Sequence, residues 1–107
     1  MDNPARKAID FILTNASKFA QAKATRVQLE EYRKSKKAIL ANLEEGSLGA
    51  KEMYAYAHPD YMTLLMGLKA AVATEEELKW RMEAAKLRFE HYKVECFNTR
   101  VEARAMS

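Results

Sequence analysis

From Ala5 to Glu45 the chain contains neither glycine nor proline, the two residues that most readily end a helix. Asn3-Pro4 stands just before this stretch, a side chain suited to capping followed by a proline suited to the first helical position. Ala5, Ile9, Ile12, Leu13, Ala16 and Phe19 then recur at steps of three and four. The pattern thins through Ala20, Ala22 and Ala24 and resumes at Val27, Leu29, Tyr32, Ile39, Leu40 and Leu43. The spacing predicts one helix over residues 5–45, with Gly46 as its C-cap and a possible bend at Ala24-Thr25. At about 1.5 Å per residue it runs on the order of 60 Å, longer than a 12.3 kDa globule is wide. Such a helix must fold back or meet another chain.

Gly46-Ser47-Leu48-Gly49 is the one clear turn, and a short helix from Ala50 to Ala57 is expected after it. His58-Pro59 stops that helix, because a residue before proline is pushed out of the helical region. Pro59 opens another helix, with Tyr61, Leu64, Leu65, Leu68 and Val72 on its apolar face. Thr74-Glu75-Glu76-Glu77 has the form of a capping box and predicts a new start there. Beyond it Leu78, Met82, Ala85, Phe89, Tyr92, Cys96, Thr99 and Ala103 alternate steps of four and three, a heptad seam of the coiled-coil type. Lys79, Lys86, Lys93 and Arg100 repeat every seven residues beside it, and Glu76, Glu83 and Glu90 on another face. The expectation is an all-α chain forming one domain over 1–107. A long basic helix fills 1–45, a turn and short helices 46–73, and a heptad-patterned helix 74–107. Stripes this long and thin predict a homo-oligomer, with Leu78, Met82, Phe89, Tyr92 and Cys96 at its interface.

Charge is divided unevenly. The net +3 is the sum of +5 over residues 1–43 and −2 over the remainder. Arg33-Lys34-Ser35-Lys36-Lys37 places four cations in five residues, so the first half is where a polyanion would bind; the alternative is a solvated helix face. Arg26 adds a further cation, and Tyr32, directly before the cluster, is the aromatic best placed to stack on an unpaired base. Trp80, between Lys79 and Arg81, is read as a packing residue at a subunit contact or an exposed stacking platform.

Signs of catalysis are missing. Glu75, Glu76 and Glu77 read as a helix start rather than an acid–base pair. His91 and Cys96 lie five apart, on different sides of a helix, so one chain assembles no zinc site and no cofactor is implied. Cys96, on the apolar seam, reads as a small hydrophobe; as a single cysteine it fits a reducing compartment. There is no phosphate-binding glycine loop or nucleophile elbow. No apolar run is long enough to span a membrane. His58-Pro59-Asp60 matches the tripeptide of J-domain co-chaperones, but the segment before it, Met53 to Ala57, is uncharged where those domains carry lysines. A helix begun by Pro59 with Asp60 in its first turn accounts for the same residues.

Over residues 28–102 the chain resembles small helical phage proteins from recombination gene clusters. The resemblance is carried by Glu31-Tyr32-Arg33-Lys34-Ser35-Lys36-Lys37-Ala38, Tyr54-Ala55-Tyr56-Ala57-His58-Pro59-Asp60-Tyr61, Trp80-Arg81-Met82 and Asn98-Thr99-Arg100. More remotely it is similar to recombination mediators of the UvsY type in its order of basic helix, glycine turn, middle segment and C-terminal helix. That resemblance implies a non-enzymatic oligomer in the cytoplasm of a bacterial host. It would bind single-stranded DNA and help load a recombinase onto DNA coated by a single-strand-binding protein. The mediators carry their DNA-binding cations nearer the glycine turn, where this chain has Leu40 and Asn42. The expectation for Arg26, Tyr32, Arg33, Lys34, Lys36 and Lys37 therefore rests on their own charge and stacking chemistry. The rival expectation is a helical scaffold that binds other proteins and no nucleic acid.

Overall fold

The computed structural model describes residues 3–106. They form three helices, α1 (Pro4–Ala41), α2 (Leu48–Ala57) and α3 (Pro59–Met106), and no strand. Asn3 caps α1: its Oδ1 accepts the backbone N–H of Ala5 at 2.7 Å and of Arg6 at 3.3 Å. The helix runs through Ala24-Thr25 and ends at Ala41, four residues short of the expected point. Its last turn tightens as Leu43 and Glu44 donate to the carbonyls of Leu40 and Ala41. Gly46 follows at φ +119°, a conformation that favours glycine. Leu48 and Gly49, expected in the turn, belong to α2, because the Ser47 hydroxyl accepts from the Ala50 N–H and caps the helix there.

His58 is extended, as its place before Pro59 requires. It also starts α3: its carbonyl accepts from Tyr61 and Met62, and its Nδ1 from the Asp60 N–H at 3.0 Å. The second start expected at Thr74 does not occur, and α3 is continuous through it. Thr74 Oγ1 instead donates back to the Ala70 carbonyl at 3.0 Å, a mid-helix arrangement. No glycine or proline follows Gly67 to interrupt the helix, and Glu75 is buried against a cation, so it does not act at a helix terminus.

Packing divides the chain into two units, one from Ala20 to Glu76 and the other from the residues before and after it. In the split unit the first turns of α1 lie against the C-terminal part of α3. Ala5, Ala8 and Ala85 are buried there, and single methyl side chains let helices approach closely. Asn3 Nδ2 donates to the Tyr92 hydroxyl at 3.0 Å, tying the start of α1 to the seam of α3. Leu78, Met82, Phe89, Tyr92 and Cys96 are half-buried in this unit. The side chains expected to join separate chains are thus largely turned to α1 of their own. The same burial rhythm holds farther back on α3, at Tyr61, Leu64, Leu68, Ala71 and Glu75. On α1 it passes through Ala22, Arg26, Leu29, Arg33, Lys36 and Leu40, where polarity hid it from the pattern of apolar residues. In the Ala20–Glu76 unit the centre is Leu40, Ala55 and Tyr61, with Ala41 and Leu65 packed on it and Tyr56 set edge-on to Tyr61 at 5.5 Å.

Such seams bury little. The chain presents 8330 Å² to solvent, where a folded monomer of its mass presents about 6,100 Å². Leu40, 2% exposed, is the largest fully buried side chain among the described residues. Leu40→Ala should therefore lower unfolding stability by about 2–4 kcal/mol, seen as a lower urea midpoint.

Candidate nucleic-acid interface

Helix α1 carries all six residues expected to meet DNA, but it distributes them around its circumference. Arg26 faces inward. Its Nε donates to Glu75 Oε2, its Nη2 to Glu75 Oε1 at 3.3 Å, and its Nη1 to Glu30 Oε1 at 3.0 Å. The fork on Glu75, reinforced by Glu30, holds the guanidinium more firmly protonated than an ordinary arginine. Both partners are mostly covered, at 24% and 12% side-chain exposure, so this cation is committed to the fold and is withdrawn from the DNA-binding set.

Lys37 is held as well. Its Nζ donates to the Tyr56 hydroxyl at 2.6 Å and lies 4.3 Å from the centre of the same ring. That hydrogen bond raises the lysine pKa above its usual value. Lys36 approaches Asp60 Oδ2 at 3.7 Å and, with Tyr32, Asp60, Thr63 and Leu64, lines a cleft of about 280 Å³. A carboxylate in that cleft opposes an incoming phosphate. The structure does bring Tyr32 and Lys36 together there, with the Asp60 carboxylate lining the same cleft.

The remaining residues are less encumbered. Lys34 meets Glu31 at 3.4 Å, with both side chains about 70% exposed. Arg33 is half-buried and has no ion pair among the described residues. Tyr32 is 48% exposed. Sequence reasoning missed Glu75, Tyr56 and Asp60, the side chains that occupy three of the cations. Asp60 and Glu75 had been assigned to helix starts, and Tyr56 lies across the glycine turn from Lys37, so spacing along α1 gave no sign of them.

Among the described residues no group of three or more potential ligands could hold a metal ion, and no helix is long and apolar enough to cross a membrane. Cys96 is half-buried beside Tyr92, whose hydroxyl pKa it pushes up.

Removing Arg26 takes its two-pronged contact from the buried Glu75 carboxylate. Arg26→Met should lower the Tm, and adding Glu75→Met should recover most of the loss. For Lys37 the raised pKa means that its contribution is complete below the ordinary lysine value and is lost as pH rises through the raised one. Tyr56→Phe should move its ¹³Cε NMR titration to lower pH. Comparisons with protein-family models, with curated proteins and with solved structures find no match to this chain.

Proposed function

We propose that the chain is a non-enzymatic, self-associating recombination mediator that binds single-stranded DNA through Tyr32, Arg33 and Lys34. The observation that carries this reading is an exposed aromatic, Tyr32, adjoining an exposed Lys34 and a half-buried Arg33 that has no ion pair among the described residues. An exposed pair such as Lys34–Glu31 contributes little and yields readily to a phosphate. Base stacking with backbone neutralisation suits a single strand of any sequence. Lys36 and Lys37 add field rather than contacts, and Arg26 adds none. A few contacts per chain bind weakly, and repeating them across an oligomer raises avidity. The role beside a recombinase and a single-strand-binding protein, in a bacterial host cell, comes from the likeness to phage proteins. The exposed Met53, Met62 and Met66 favour a second reading, a helical module that binds other proteins.

Fluorescence anisotropy with labelled oligo-dT separates the two. The proposal expects binding that weakens steeply with salt. It also expects at least a tenfold loss in Arg33→Glu/Lys34→Glu, and a smaller one in Tyr32→Ala. Full binding by the double charge reversal would reject this patch; no binding at low salt would reject the mediator and leave the interaction module.

A further inference from the structure

Helix α3 has a second seam. Trp80, Leu87, Val94 and Val101 recur every seven residues, with Ala84, His91, Asn98 and Ala105 interleaved at steps of four and three. All eight are exposed, the four large ones at 64, 69, 55 and 47%. At 100° per residue this seam lies on the side of the helix opposite the one that meets α1. Tyr92 is held by Asn3, at the start of α1, and every described residue after Cys96 is exposed, Phe97 among them at 63%. An isolated helical end so exposed is marginal in water.

We infer that this face binds a second copy of the chain, with the two α3 helices antiparallel about a two-fold axis between Tyr92 and Lys93. The flanking charges single out that partner and that direction. In an antiparallel pair centred there, Arg81 faces Glu102 of the second copy, Arg88 faces Glu95, and Glu83 faces Arg104. By symmetry each occurs twice, and no flanking charge meets its like. The core positions also alternate in size: Ala105 of one copy lies against Trp80 of the other, and Ala84 against Val101. A parallel pair sets Glu76 opposite Arg81 and Glu83 opposite Arg88 of the second copy, but it also sets Glu90 opposite Glu95 and His91 on His91, so it has fewer attractive pairs and a repulsive one. Glu83 and Glu95 already meet Lys86 and His91 of their own helix at 3.2 and 2.9 Å, and Arg81 meets Glu77 at 2.6 Å. These are exposed pairs, which exchange at little cost. A standard interface covers about 800 Å² per partner, well within the surface this chain exposes beyond that of a typical monomer. Each overhanging end, from Phe97 onward, would then rest against the Trp80–Leu87 turns of the other copy.

The inference concerns self-association without DNA, so it survives or fails apart from the DNA-binding patch. Sedimentation velocity of the full chain should show dimers, and Val94→Asp should give monomers with lower total helicity by circular dichroism but unchanged amide protection around Leu40 and Ala55. Arg88→Glu and Glu95→Arg should each weaken association about tenfold, and the double swap should restore it. In a parallel pair Glu95→Arg would strengthen association instead of weakening it; that result overturns the orientation. A wild-type chain that stays monomeric to near-millimolar concentration overturns the inference entirely.

Discussion

Within each of the two packing units, α1 and α3 meet along a narrow seam, and two helices meeting so bury about two residues in seven from each. Among the described residues only Leu40 and Tyr61 are large hydrophobic side chains that are buried outright; the rest of the core is alanine. A core so thin is sensitive to each position on it. The seam nevertheless includes a salt bridge, Arg26 with Glu75, at a place where two apolar residues would bury more surface. Such a pair is weak evidence for stability, but a slip of α1 against α3 would separate Arg26 from Glu75 and leave the arginine only its own-helix contact with Glu30.

That commitment changes the meaning of the basic half. The +5 of the first 43 residues is a real long-range field, and it includes cations that the fold has already used. Arg26 serves the seam, Lys37 lies against an aromatic ring and Lys36 shares its cleft with Asp60. What remains for a polyanion is a short run in which Tyr32 and Lys34 are exposed and Arg33, between them, is half-buried. Oligomeric repetition is therefore integral to the proposed function, because so small a patch binds a single strand weakly on its own.

The helical class and most of the punctuation were legible from residues alone. Asn3-Pro4 starts α1, Gly46 turns the chain at positive φ, and His58-Pro59 ends one helix and begins the next. Thr74 misled because a capping box is a local signal. Nothing near it breaks the helix, and Arg26, far away in sequence, supplies the carboxylate's partner. The seam on α1 was harder to see since Asn15, Arg26, Arg33 and Lys36 occupy it. Apolar periodicity is blind to inward polar residues. The seam at Leu78 to Cys96 was visible, but its partner was not: a heptad pattern states that a helix must be covered along one side, without stating by which chain.

The account therefore turns on α3 having one side covered within the chain and the other covered by a second copy. Hydrogen–deuterium exchange of amides 97–106, measured on the intact protein across a wide concentration range, tests this most directly. Those amides should exchange quickly in dilute solution and become protected as concentration rises, while amides around Leu40 and Ala55 stay protected throughout. Exchange of the 97–106 segment that does not vary with concentration would contradict the account.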